Sequence, residues 1–242
     1  MIERAPLRPS LEELLDRIEA ARGPWNTDLA NEDVSRYDFG EAALQRVLGG
    51  HRFTTPPTWW SPANPSRNKP AGLSLRGVQA EAANFRGSNL TGADLQGAVL
   101  IGAYFTEARL VHAWLERVQA ASAIFRYTNL QAADLAGADL EGADLRGAIL
   151  VGAYLRGARL MGANLTEAKA SGADLREAIL IQMNGTDADL SYANLRDANL
   201  TNAVLTGTNL EGADLRGALL DGADLTDANL SAALLPTPSG IG

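Results

Sequence analysis

The sequence predicts an all-β solenoid: a β-helix with four five-residue sides to each coil, preceded by an N-terminal α-helical cap. Three observations carry this. Every fifth residue from Leu75 to Leu235 defines thirty-three slots, which hold Leu except at Ala80, Phe85, Phe105, Ala120, Phe125, Ala170 and Gly185. Two residues before nearly every slot stands a small residue, usually Ala, as at Ala133, Ala138, Ala143 and Ala148. The three Phe of the tract are spaced 20 residues apart.

A period of five fits neither regular element. In an α-helix it leaves successive leucines about 140° apart, smeared around every face. In a flat strand the side-chain period is two, so an odd spacing sends alternate leucines to opposite sides. The chain must therefore bend once in each five residues so that every Leu faces a common axis. A separation of two in extended backbone keeps Ala and Leu on the same inner face, and the other three positions face solvent. If one coil rises by about 4.8 Å, rings four sides apart stack at an aromatic-pair distance, which selects four sides over three. The tract then makes about eight coils, a rod roughly 40 Å long.

The elements follow in chain order. Over 1–25, "PSLEELLDRIEAARG" offers Ser10 as N-cap, Glu13 as its capping-box partner and Gly23 as a stop, giving a helix over about 10–22 that covers the first coil. Over 26–45, Leu29, Val34, Phe39 and Leu44 are five apart and read as a degenerate coil in another frame. Residues 46–72 are rich in Pro and turn residues and read as an insertion loop. Trp59 and Trp60 in it are candidate partner anchors, with packing onto the rod as their simpler role. The repeat occupies 73–235, and the tail 236–242 holds no second capping helix. The last coil is left to the tail, through Leu234, Leu235 and Ile241, or to another subunit.

Within the repeat, Gly often stands three before Leu, as at Gly92, Gly97, Gly137 and Gly142. Glu107, His112, Arg117 and Tyr127 share that slot, so Gly there reads as a convenience. At "IQMNGTDADL" Met183 replaces the small residue and Gly185 replaces Leu. A thin place in the core is expected, part-filled by Met183.

Composition narrows the function. The chain has no cysteine, so disulfides, thiolate metal sites and Cys nucleophiles are absent. The charged N-terminus has no apolar segment of the signal type, and no run approaches a membrane span. A cytoplasmic location is expected. A net charge of −8 argues against a direct nucleic-acid binder, which needs clustered Lys and Arg. His51 and His112 have no sequence neighbours that would make a triad or a metal set, and His112 reads as a solvated surface residue. No catalytic, cofactor or metal site is expected.

The tandem A-(D/N)-L-x-x units, as in "SGADLREA", "YANLRDANL" and "EGADLRGALLDGADL", resemble the pentapeptide repeat proteins over about two thirds of the chain. The resemblance implies a right-handed quadrilateral β-helix, and it implies that a homodimer through the C-terminal end is an arrangement to expect. Some acidic dimers of this family resemble duplex DNA and bind DNA gyrase, inhibiting it or protecting it from drugs.

Outward residues 20 apart stack in columns. Arg156, Arg176, Arg196 and Arg216 form one, with Asp174, Glu177, Asp197 and Asp214 on the same wall. This reads either as a compensated surface network or as a stripe for an anionic ligand. Thr166, Thr186, Thr206 and Thr226 form a column on the opposite wall, where stacked Thr suits a strand surface. Val99, Ile101, Ile149, Val151, Ile179 and Ile181 place apolar side chains outward, as an interface or as β-propensity alone. Two functions remain. One is a non-catalytic binding or scaffold protein with an unidentified partner. The other is a DNA mimic acting on gyrase, favoured by eight Asp or Glu between 187 and 227 against Arg196 and Arg216.

Overall fold

The computed structural model describes Ser10, Glu12, Glu13 and residues 74–237. At the N-terminus the expected capping box is formed. The Glu13 amide donates to Ser10 Oγ at 3.1 Å, the Ser10 amide donates to Glu13 Oε2 at 2.7 Å, and Glu12 and Glu13 are helical. The body of that helix, any covering of the first coil, the degenerate coil at 26–45 and the loop at 46–72 lie outside the described residues.

From Ser74 onward the chain winds as a four-sided coil. Parallel bridges join residues 20 apart without interruption, from Ser74 with Asp94 to Asp214 with Leu234. The first wall is centred on Leu75 and every twentieth residue after it, the second on Ala80, the third on Phe85 and the fourth on Leu90. The inner lining is sealed: Leu135, Leu140, Leu145 and Leu150, with Ala133, Ala138, Ala143 and Ala148 between them, have no solvent exposure. Phe85, Phe105 and Phe125 stack up the third wall with centroids 4.8 and 4.9 Å apart and planes within 8° and 5° of parallel. That spacing is one coil rise, as the 20-residue separation requires.

Hydrogen bonding explains why each position takes its residue type. Around Leu135, the Leu135 amide donates to Tyr154 O at 2.7 Å and the Gly137 amide to Arg156 O at 2.9 Å, both in the next coil. The Asp134 amide donates to Ala113 O at 2.9 Å in the coil before, and the Ala138 amide closes a turn onto Leu135 O at 3.0 Å. One N–H per unit, that of the residue after Leu, is left over. The Asp or Asn before Leu takes it: Ala136 N donates to Asp134 Oδ1 at 3.1 Å, and Thr166 N donates to Asn164 Oδ1 at 3.0 Å. Asp and Asn are therefore there for an Asx turn as well as for solubility.

The corner slot two after Leu does not require Gly, as its mixed occupancy suggested, but it has one backbone conformation throughout. Every residue there has positive φ, from Gly77 at 63° to Ala232 at 55°, including Glu107 at 62° and Tyr127 at 55°. Positive φ at the third residue of a turn closed by a three-residue hydrogen bond is the type II pattern. Non-glycine residues bear its strain, and no Val, Ile or Thr occupies the slot from 77 to 232.

The two ends of the described coil differ. Leu75, Val78, Phe85 and Leu90 of the first coil are buried, whereas Leu220, Leu225 and Leu230 of the last are only partly so. Leu234 and Leu235, expected to help close the end, are about half exposed.

Candidate functional site

Because the lining is sealed, the described coil presents only its outward columns and its ends to a partner. The arginine column on the first wall forms as expected, and every member meets an acid. Arg176 is bidentate to Asp174, Nε to Oδ1 at 2.7 Å and Nη2 to Oδ2 at 2.5 Å, and Arg216 holds Asp214 in the same way at 2.9 and 2.7 Å. These pairs lie within one A-D-L-R unit. Arg156 and Arg196 follow Tyr154 and Asn194 instead, so they reach into the next coil, Arg156 to Glu177 at 2.7 Å and Arg196 to Asp214 at 3.7 Å.

The electrostatics follow from that geometry. The Arg216 hydrogen bonds hold the Asp214 carboxyl down at about 2, against the opposing effect of burial, with the charge of Arg196 adding to it. Burial pushes Asp174 up, but the hydrogen bonds and charge of Arg176 outweigh it and leave the carboxyl below its ordinary value. Each arginine meets an acid, with Arg196 and Arg216 sharing Asp214, which is the geometry of a largely compensated surface network.

The opposite column of threonines also forms. Thr166 and Thr186 donate their hydroxyls to Asn164 and Asn184 Oδ1 at 2.7 Å, and Thr226 donates to Asp224 Oδ1 at 2.6 Å. On the second wall Ile101 and Ile179 are 42% and 37% exposed, while Val99, Met161 and Ile181 are half-buried. Arg159 bridges Glu141 at 2.9 Å and Asp139 at 3.8 Å between them, so the apolar residues form two separate patches. Trp59 and Trp60 lie outside the described residues.

Charge is unevenly spread along the rod. Residues 74–159 carry eight acids against eight arginines, and residues 160–237 carry eleven acids against Lys169, Arg176, Arg196 and Arg216. Of the eight acids between 187 and 227, only Asp214 forms an ion pair among the described residues. Glu167, Asp187, Asp189, Glu211, Asp224 and Asp227 all fall on the third and fourth walls or the corner between them. Lys169 is the one cation on those walls beyond residue 160.

Three outward residues depart from the expected exposure. Trp114, Asp134 and Ser191 are buried at 8%, 6% and 7% exposed. Asp134 faces Glu116 of the coil below, a contact between two columns that stacking along one column does not reveal. His112, expected to be solvated, is half-buried; burial lowers its basicity and a hydrogen bond with the Ala132 backbone partly restores it. Among the described residues no three His, Cys, Asp or Glu gather closely enough to hold a metal ion. No described helix is long and apolar enough to cross a membrane.

The pentapeptide repeats family model matches the chain in eight copies, over residues 83–118, 123–162, 158–202, 186–222 and 198–235. The chain belongs to the pentapeptide repeat family. Its four-sided coil is the quadrilateral β-helix of these proteins, which winds right-handed. Among solved pentapeptide repeat structures it is similar to HetL, involved in heterocyst differentiation regulation in the cyanobacterium Nostoc sp. strain PCC 7120. That match has 27% identity over 96% of this chain and 99% of the other, with a TM-score of 0.47. A pentapeptide repeat protein of the Arabidopsis thaliana thylakoid lumen is 31% identical over 41% of this chain and 71% of its own, with a TM-score of 0.39. Full-length QnrB1, a plasmid-mediated fluoroquinolone resistance protein, is 21% identical over 66% and 84%, also with a TM-score of 0.39. No curated protein matches the chain.

Proposed function

We propose that this pentapeptide repeat protein is a non-catalytic, cytoplasmic binding scaffold that docks a protein partner along its outer columns. The observation that supports it most is the acid without an ion pair on the third and fourth walls, centred on Glu167, Asp187, Asp189 and Asp227, opposite an arginine column in which every member meets an acid. A cationic protein surface is the partner class that suits those walls. Affinity capture from native cell extract tests it, comparing the parent with a variant carrying Glu167→Gln, Asp187→Asn, Asp189→Asn and Asp227→Asn. The reading expects a partner retained at low salt by the parent and lost by the variant; identical capture by both removes it.

The second reading is a DNA mimic that binds DNA gyrase and inhibits it or protects it from drugs. It is favoured by the same unpaired acids in the last coils. A supercoiling assay with and without a quinolone decides it, and no effect at tens of micromolar sets it aside. Homodimerisation through the C-terminal end belongs to the same proposal, supported by the partly exposed Leu220, Leu225, Leu230 and Leu235. Light scattering that gives a monomer mass at micromolar concentration removes it.

A further inference from the structure

We propose that Glu116 and Asp134 share a single proton between adjacent coils of the first wall, and that their contact is a pH-responsive latch, tight while the proton is held and loosened once it leaves. The register places the two carboxyls together. A side chain one past a Leu slot reaches the residue eighteen further on, in the coil above. Arg126 meets Asp144 in this way at 2.5 Å, Arg76 meets Asp94 at 3.6 Å, Arg196 meets Asp214 at 3.7 Å and Thr206 meets Asp224 at 3.2 Å. Glu116 holds the lower of those two positions and Asp134 the upper. In each of those four pairs the side chain below the Asp is an arginine or a threonine hydroxyl; below Asp134 it is a second acid.

Two ionised carboxylates have only acceptors, so a hydrogen bond between them requires a proton on one. The surroundings favour keeping it. Asp134 is almost fully buried in a column between Trp114 and Tyr154, and one of its oxygens is engaged by the Ala136 amide at 3.1 Å. The cations facing the pair are Arg76 and Arg117, and both act on Glu116. On the Asp134 side stands the Tyr154 phenol, with Asp174 beyond it. Burial first, and for Glu116 the neighbouring Asp134 next, raise both carboxyls above their ordinary values; the Ala136 and Glu116 hydrogen bonds oppose this only in part at Asp134.

The sign follows from linkage. The folded chain holds a proton here that the unfolded chain releases, so the contact gains stability as pH falls from neutral toward the ordinary carboxylate range. It loses that stability as pH rises through the raised values. This is opposite to the Asp214 pair, which acid weakens.

The test is the melting temperature of the full chain between about pH 4 and pH 8, for the parent, Glu116→Gln and Asp134→Asn, with Glu141→Gln as an ion-paired control. The expected result is that Glu116→Gln and Asp134→Asn melt about 2 to 4 °C above the parent near neutrality, a difference that closes toward pH 4, while Glu141→Gln shows no such gain. Parallel curves for the parent and Glu116→Gln across the range overturn the proposal. Should Asp134→Asn fail to fold, a 13C titration of the Glu116 carboxyl in the parent and in Trp114→Phe decides. A midpoint above the ordinary glutamate value in the parent supports the shared proton, and an ordinary midpoint overturns it.

Discussion

Met183 occupies the space that a side chain on Gly185 would need. A Cβ built on Gly185 lies 3.2 Å from Met183 Sδ and 3.3 Å from both Met183 Cε and Leu205 Cδ2. Met183 is fully buried. The small and large residues of the unit have exchanged places, and the third wall stays filled across the exchange. Thr208 secures the same point by donating its hydroxyl to Gly185 O at 2.8 Å.

That exchange makes the two positions interdependent. Met183→Ala alone opens a cavity and costs about 2–5 kcal/mol. Gly185→Leu alone overpacks against Met183 and costs about 1–3 kcal/mol. The double variant rebuilds an ordinary A-N-L unit and should be more stable than the sum of the single losses allows, by more than about 1 kcal/mol. Urea denaturation of the three variants measures the coupling, and simple additivity would show that the two residues do not share one space.

The inner and outer faces make a second contrast. Leu140→Asp places an unpaired carboxylate in the sealed lining and costs several kcal/mol. Asp139→Asn keeps the oxygen that accepts the Glu141 amide at 3.2 Å and should fall within about 0.5 kcal/mol of the parent. Thermal melting reads both, and comparable losses would contradict the assignment.

The corner slot predicts a gain from glycine. Ala132 sits at φ 52°, so Ala132→Gly relieves strain and should be neutral or stabilising by up to about 1 kcal/mol, despite the entropy of the unfolded chain. Ala132→Val should instead cost more than about 1 kcal/mol, because a β-branched residue tolerates positive φ worst. A clear destabilisation by Ala132→Gly would remove the type II assignment there.

Acid should weaken the arginine column. Asp214 is held at about 2, below its ordinary 3.8, mainly by the Arg216 hydrogen bonds. The folded chain therefore releases a proton that the unfolded chain would bind. The pair contributes fully above the ordinary value and is lost as pH falls through about 2. The parent should lose melting temperature faster than Asp214→Asn between those limits, and equal slopes would show that the pair contributes nothing measurable.

The backbone was legible in the sequence because its constraint is strict. A sealed lining takes Leu, Phe or Ala at nearly every position, so an uninterrupted frame from Leu75 to Leu235 could be read directly, and the separation of Phe85, Phe105 and Phe125 set the number of sides. The departure at Met183 and Gly185 was visible for the same reason, although the thin place expected there is filled by Met183 and Leu205. Outward roles were less legible, since solvent tolerates many residue types. Asp139 and its equivalents read as solvated, although each accepts an otherwise unpaired N–H. The choice between pairing within A-D-L-R and reaching the next coil depends on the residue before Leu, as Arg176 and Arg196 illustrate. The pairing of Glu116 with Asp134 is not legible from the columns, because the contact joins two of them rather than lying along one.

One turn of the coil takes 20 residues, so residues at that separation form columns. The chain has no cysteine, which makes engineered pairs unambiguous. Ser171 Oγ and Ser191 Oγ lie 3.0 Å apart on the fourth wall. A Ser171→Cys, Ser191→Cys variant should oxidise to an intramolecular disulfide without loss of the folded state, because one coil rise falls within disulfide reach, and Ser171→Cys, Ile181→Cys, half a coil apart, should not. Cross-linking of the second pair, or failure of the first, would contradict the four-sided coil.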